Sequence, residues 1–312
     1  MTITEVAKVP HLRDSTDVLG DHDELQRRWK TEGYLFLRGV IDKSALEKVR
    51  RAYMQRLAEL ELVESVEGQS RWTGTQLQGD RAIPYDALGE PVWRELVDHP
   101  SFDRTIRAVL GEAPSWVPIV SYRAALPSAP KSAPDDLFYG RHQDGYFNKG
   151  IDFRICWVPL MKIPAEVGGL AIAPRHHTNG FLHDDESRKI DPALVTDESW
   201  RRADYEPGDV LVFHHLTPHA PLANGSDLIR LSIDVRVLPA SAVQPIIGTI
   251  ESLDDSTLKI FGDDGASVVL SVDEDTYFRG IGSAVERARV GQRVIVATDD
   301  TGNRAIVVRP AT

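Results

Sequence analysis

The run Arg141-His142-Gln143-Asp144-Gly145 holds a histidine and an aspartate two positions apart. In extended backbone, residues i and i+2 point to the same side. His142 and Asp144 can therefore offer one nitrogen and one oxygen to a single metal ion. A lone triplet of this kind also arises by chance, with the histidine merely at the surface or in the core. A second segment, Phe213-His214-His215-Leu216-Thr217-Pro218-His219, follows the apolar run Val210–Phe213. One histidine from it completes two imidazoles and a carboxylate. That is the facial triad of non-haem iron(II) oxygenases, which leaves three adjacent coordination positions open. His219, 75 residues beyond Asp144, is the expected third ligand. His214 and His215 are adjacent, so at most one of them faces inward.

Eleven residues after His219 comes Arg230. From there Arg230, Ser232, Asp234 and Arg236 alternate with Leu231, Ile233 and Val235, giving one polar and one apolar face. The polar face can line a cavity. A guanidinium in a cavity is costly unless it meets a carboxylate, and its planar fork suits a carboxylate bidentately. The expected partner of Arg230 is the far carboxylate of 2-oxoglutarate. The alternative is internal pairing with Asp234 or Asp209.

These residues need a scaffold. Residues 1–20 are polar and lack period, so a flexible N-terminal arm is expected. Asp21–Glu32 reads as a helix with Leu25 and Trp29 on one face. Gly33–Ile41 reads as a strand, and Asp42 as the N-cap of a helix over the following apolar-periodic run. Glu64–Glu90 reads as a long loop, and Pro91–Leu110 as two short helices split at Pro100. Beyond Ala113, short β-rich segments alternate with Gly- and Pro-rich connections. Helices followed by strands predict a mainly β fold, a double-stranded β-helix (jelly roll) core with flanking helices over residues 21–244.

From residue 245 a second composition begins. Five short strands joined by DDS, DDG and DTGN turns suggest a small β-barrel-like module over 245–312, OB-like or SH3-like. Residues 246–312 carry seven basic against eleven acidic side chains, and their aromatics are Phe261, Tyr277 and Phe278. A nucleic-acid groove needs the opposite. The module is therefore expected to pack or dimerise, which makes a homo-oligomer an expected state.

The whole chain, at 312 residues, suits one large unit plus a small one, and its formal charge of −11 disfavours nucleic acid and anionic membrane as partners. The lone Cys156 permits no internal disulfide and fits a reducing compartment. No apolar run reaches the length of a signal sequence or a membrane span. The expected location is the cytoplasm.

Four motifs together resemble the phytanoyl-CoA dioxygenase superfamily. They are HQDGYF (His142–Phe147), WVPL (Trp157–Leu160), VGGLAIAPRHHTNG (Val167–Gly180) and the long run Pro207–Val237, in matching order and spacing over roughly residues 20–240. The resemblance implies a jelly-roll oxygenase that uses Fe(II), 2-oxoglutarate and O2. It implies that His142, Asp144 and His219 bind iron and that Arg230 binds the far carboxylate of 2-oxoglutarate. Trp157 corresponds to a family tryptophan near the cosubstrate, with a core aromatic as the alternative. In the phytanoyl-CoA enzyme a serine two residues after the distal histidine helps hold 2-oxoglutarate. Pro221 stands there in this chain, so Ser232 or Tyr122 is the expected replacement. Related halogenases carry Ala or Gly where this chain has Asp144, and a carboxylate at that place implies hydroxylation.

The substrate is expected to be a small or medium organic molecule, a secondary metabolite. The loops Glu64–Glu90, Pro127–Tyr139 and Phe181–Asp197 are long enough to cover a site. Trp72, Gln76, Tyr146, Phe147 and Asn148 are candidate substrate contacts, each with loop packing as the alternative. Two other functions stay open on sequence: a non-catalytic jelly-roll ligand-binding protein, and a cupin-like metal enzyme without 2-oxoglutarate. Iron-dependent succinate release separates both from an oxygenase.

Overall fold

A computed structural model describes residues 3–66, 69–75, 88–128, 136–280 and 288–312. The N-terminal half is mostly helical: α1 (Ile3–Lys8), α2 (His22–Glu32), α3 (Lys43–Glu59), α4 (Glu90–Val97) and α5 (Pro100–Leu110). Asp21 caps α2 by accepting from the Glu24 backbone N–H at 3.1 Å, and Asp42 caps α3 through the Ser44 N–H. Pro100 opens α5, as its missing N–H allows. Between these helices lie β1 (Tyr34–Leu37) and the hairpin β2 (Val63–Val66) and β3 (Gln69–Trp72). The hairpin occupies part of the stretch expected to be a loop.

The strands that follow are β4 (Pro114–Ala125), β5 (Arg154–Pro159), β6 (Gly169–Ile172), β7 (Val210–His214), β8 (His219–Leu222) and β9 (Arg230–Pro239). Five strands form an antiparallel sheet in the order β1-β7-β5-β9-β4, while β6 and β8 pair in a smaller one. Alternation along each strand sorts side chains to two cores. Leu231, Ile233, Val235 and Val237 join Cys156, Val158, Val210, Val212 and the helical side chains on one face. Ile155, Trp157, Leu211 and Phe213 lie on the other face, against Ile163, Leu170, Ile172 and Tyr205. Each fully buried aliphatic side chain contributes roughly 1.5–3 kcal/mol, which makes the register of β9 hard to slip. One residue of slip would send Arg230, Ser232, Asp234 and Arg236 into the helical core.

The N-terminal arm is more ordered than its composition suggests. Val6, Val9 and Leu12 are buried, and backbone bridges tie His11 to Arg202 and Asp14 to Phe36. Three apolar residues at a spacing of three were too sparse to show as a period, yet they suffice to dock the segment.

The C-terminal strands are β10 (Ile246–Leu253), β11 (Thr257–Gly262), β12 (Ser267–Ser271), β13 (Tyr277–Phe278), β14 (Arg293–Thr298) and β15 (Ala305–Pro310). They form one six-stranded sheet ordered β12-β11-β10-β14-β15-β13. Among the described residues its edge strands do not pair with each other as a closed barrel requires. The last residue of β12, Ser271, makes a single bridge to Arg304, just before β15. This unit has its own core around Ile250, Leu258, Ile260 and Val296. It is also stitched to the rest: Ile295, Ala297 and Val307 belong to the same apolar cluster as Phe153, Trp157 and Phe213.

Candidate iron site and its two cavities

His142 and His219 face each other across an antiparallel bridge, each backbone N–H donating to the other's carbonyl at 2.9 Å. That exchange sets their rings 4.1 Å apart between centroids. Asp144 follows at the start of a short 3-10 turn, and the Gly145 N–H donates to the His215 carbonyl at 2.8 Å. A Cβ at position 145 would meet the His215 ring at 2.2 Å. Glycine there lets the two segments approach. It also explains why HQDG, rather than HQD alone, is the informative string.

The donor atoms of His142, Asp144 and His219 lie within 4.8 Å of one another. Asp144 Oδ1 is 3.6 Å from His142 Nε2 and 3.9 Å from His219 Nε2. Nδ1 of His142 lies 2.8 Å from the Gly140 carbonyl, and Nδ1 of His219 lies 3.1 Å from the Thr217 carbonyl. A carbonyl can only accept, so each Nδ1 carries the proton and each Nε2 presents a lone pair to the common point. Burial, followed by the nearby His142, pushes the His219 ring down to about 3, keeping it neutral. Burial by itself would raise the Asp144 carboxyl. Arg236 and the two histidines outweigh it and hold Asp144 well below the usual carboxylate range. This donor set fits a divalent iron ion.

Arg236 is the residue that sequence reasoning left without a task. Its Nη2 donates to Asp144 Oδ2 at 2.6 Å. The signal was present in the polar face of β9, but nothing local said which of its four members reached the carboxylate. His214 and His215 turn away from the triad and stack on each other, with centroids 4.3 Å apart. His215 lies beside Asp152 at 2.9 Å. Asp152, His214 and His215 also bring donor atoms together, but Asp152 is exposed and neither triad cavity includes them.

Two cavities meet at the triad. The smaller, about 170 Å³, is lined by His142, Asp144, His219, Trp157, Arg230, Ser232 and Asp234 among others. Arg230 is buried and its Nη1 donates to the Gly169 and Leu222 carbonyls, at 3.0 and 3.1 Å. Its Nε, the Ser232 hydroxyl and Asp234 Oδ1 have no hydrogen-bond partner among the described residues. Arg230 forms no ion pair among the described residues. Asp234 pairs with Arg123 at 3.0 Å, and Asp209 lies 3.7 Å from Arg38. Unsatisfied buried donors at one end and a metal-ligand set at the other fit a short dianion. The second cavity, about 320 Å³, shares His142, Asp144 and Arg123 with the first and adds Phe147, Asn148 and residues of the C-terminal unit. A larger groove, about 680 Å³, shares no residue with the triad.

The other expected contacts divide. Phe147 and Asn148 line the second cavity, and Trp157 and Ser232 the first. Tyr122 does not reach the metal side. It is opposite Ile233 in the β4–β9 register, shares its face, and packs against Tyr53 in the helical core with its hydroxyl on the Gly89 carbonyl. Trp72 packs against the same helical core with Nε1 on the Thr75 carbonyl, and lines neither triad cavity. Tyr146 stacks on His183 at 4.2 Å and donates to Asp185, again outside both cavities. Gln76 lies outside the described residues, as do 76–87 and 129–135 of the two expected covering loops.

A mainly antiparallel β scaffold that aims two imidazoles and a carboxylate at one point, with a buried arginine along the adjoining cavity, defines a non-haem iron oxygenase of the 2-oxo-acid-dependent class. Residues 29–232 match the phytanoyl-CoA dioxygenase (PhyH) family, and the chain belongs to it. It is 33% identical over 249 residues to a 1-deoxypentalenic acid 11-beta-hydroxylase of Streptomyces arenae, covering 73% of this chain and 85% of the relative. The hydroxylase of the same name from Streptomyces exfoliatus is 30% identical over the same shares. The crystal structure of the epimerase SnoN in complex with Fe3+, alpha ketoglutarate and nogalamycin RO is 22% identical, with a TM-score of 0.50. That match covers 71% of this chain and 85% of SnoN, and supports the jelly-roll oxygenase fold. The protein is an iron(II)- and 2-oxoglutarate-dependent dioxygenase. Among the described residues no helix is long and apolar enough to cross a membrane.

Proposed function

We propose that His142, Asp144 and His219 hold the iron, that Arg230 and Ser232 take the far carboxylate of 2-oxoglutarate in the smaller cavity, and that the organic substrate occupies the larger one. The observation that carries this reading is the position of His142 and Asp144 on the walls of both cavities. A cosubstrate and a substrate can then approach one ion from two sides. Bound iron supplies activation of O2 at the expense of 2-oxoglutarate, which leaves as succinate and CO2.

The chain's own residues perform the remaining tasks. Arg236 fixes one oxygen of Asp144 so that the other is free to ligate. Trp157 and Phe213 close the smaller cavity with apolar surface and exclude water. Phe147 and Ile119 present apolar wall to the substrate. The names of the Streptomyces relatives support hydroxylation of an organic acid. A cytoplasmic setting, where iron(II) and 2-oxoglutarate are supplied, belongs to the same reading. So does a barrel-like, packing or dimerising C-terminal unit, for which the mass of the protein in solution is the test. The deciding experiment for the oxygenase sites is succinate release from 2-oxoglutarate, iron-dependent in the wild type and lost in His219→Ala. Succinate release that survives in that variant overturns the ligand assignment.

A further inference from the structure

The larger cavity is unusual in a protein of net charge −11. Seven of its lining side chains are cationic and only one, Asp144, is a carboxylate. Arg279 has a further interaction of its own, and three other cations are matched: Arg123 by Asp234, Arg141 by Asp136 and Arg236 by Asp144. Arg309 is not. It is 8% exposed, comes from β15, and forms no ion pair among the described residues. Its Nη1 donates to Asn148 Oδ1, the same neutral atom that accepts from Arg279 Nη1 at 2.9 Å. Two guanidiniums are thus drawn to one amide oxygen. Arg188, on the loop after His183, donates from Nη2 to the Tyr277 hydroxyl and lies over the Phe147 ring, 5.6 Å from its centroid.

Burial, then the charges of Arg279 and Arg236, push Arg309 well below its ordinary value. A buried cation among like charges is costly, and a carboxylate seated between them offsets that cost. The rest of the wall is apolar, with Ile119, Val120, Phe147 and Pro310. Thr312 is tied to this wall as well. The Thr312 N–H donates to the Pro118 carbonyl, and the Thr312 hydroxyl accepts from the Val120 N–H, both at 2.8 Å.

We propose that the C-terminal unit is part of the active site: Arg309 and Arg279, with Arg188, recognise a carboxylate on the substrate and leave its compact apolar body beside His142 and Asp144. The inference rests on the oxygenase reading and adds to it the elements that select the substrate. The family match stops at residue 232, so Arg279 and Arg309 lie outside the matched part of the chain.

The test uses the full chain with zinc(II) in place of iron and saturating 2-oxoglutarate, so that the Arg230 cavity is filled. Titration calorimetry compares three acids with their carboxamides, built on cyclohexane, adamantane and decalin. At least one acid should bind about tenfold or more tighter than its amide. In Arg309→Gln that preference should fall below about threefold while amide affinity is kept; in Arg188→Gln it should weaken. Removing an unmatched buried charge should leave the melting temperature of Arg309→Gln unchanged or raised. If that variant does not fold, Arg188→Gln decides. No acid preferred over its amide in the wild type, or a preference untouched by the deciding variant, overturns the proposal. Calorimetric binding of 2-oxoglutarate and succinate release by the iron form report on the oxygenase reading separately. Loss of those with the acid preference intact would remove that reading alone.

Discussion

Arg236 holds Oδ2 of Asp144 at 2.6 Å, while Oδ1 of the same carboxylate faces the Nε2 atoms of His142 and His219. On the proposed assignment the aspartate is thereby split into an anchored oxygen and a ligating one. Orientation of a metal ligand by a second residue is commonly worth 10- to 100-fold in metal affinity, and breaking a buried ion pair costs about 3–5 kcal/mol in stability. Arg236→Met should lower iron(II) affinity by about that range and reduce the melting temperature. Arg236→Lys should recover part of both. Competition against a chelator measures the affinity, and an unchanged value in Arg236→Met would show that Asp144 needs no anchor.

Gly145→Ala tests how the two ligand segments are brought together. The added Cβ would fall 2.2 Å from the His215 ring and 3.1 Å from its carbonyl oxygen. Something must shift, and the Gly145 N–H to His215 carbonyl bond is in the way. The expected outcome is weaker iron binding, by at least about tenfold, with the secondary-structure content kept. Wild-type affinity would mean that His215 swings aside at no cost to the triad.

How far the site could be read from sequence depended on whether the chemistry was local. The triad and Arg230 sit at spacings that strand geometry makes readable. The polar face of β9 followed directly from its alternation. Tyr122 was misplaced because choosing its face needs the register of β4, and β4 carries an irregularity between Val117 and Ser121. The strand β8 escaped notice because His219-Ala220-Pro221-Leu222 is short and holds a proline. Pairing with β6 and the bridge to His142 make it a strand. Arg309 gave no signal at all: an arginine ending an apolar strand looks like a solvated edge until the packing of the whole C-terminal unit is known.

Removing residues 246–312 should now do more than the composition break near Pro245 suggested. The triad and Arg230 all lie before residue 231, so the ligands themselves survive. Yet Ile295, Ala297 and Val307 would be stripped from the cluster that contains Phe153, Trp157 and Phe213. Losing three buried side chains of that size exposes several kcal/mol of apolar surface, at roughly 1.5–3 kcal/mol for each large one. The truncated chain should melt lower and aggregate more readily. A truncated chain with the wild-type melting temperature would show the unit to be a passive appendage.

Arg230→Ala should raise the apparent constant for 2-oxoglutarate on the order of a hundredfold, since charge-assisted hydrogen bonds contribute about 1.5–3 kcal/mol each. Internal pairing with Asp234 or Asp209 would instead predict a less stable protein with an unchanged constant. Those carboxylates already face Arg123 and Arg38. Iron affinity should change little. The constant and the melting temperature, measured on the same variant, separate the two outcomes.

The last expectation concerns acid. Burial depresses His183 to about 4 and His214 and His219 to about 3, from an ordinary 6.5, and lowers His177 as well. Each is neutral in the fold and protonates in the unfolded chain once pH drops below about 6.5. The unfolded state then binds more protons, so stability falls as pH falls, from full stability above about 6.5 toward the folded values near 3–4. His219, fully enclosed, contributes up to about 1.4 kcal/mol per pH unit across that window. Between pH 6.5 and 5.5 ordinary carboxylates do not yet titrate, which makes that interval diagnostic of the histidines. The melting temperature of the metal-free protein should drop by several degrees from pH 7.5 to 5.5. Unfolding should release no protons and folding should expel them. A flat profile over that interval would mean that the rings protonate in place, and a triad that accepts protons so easily could not keep Nε2 of His219 free for iron.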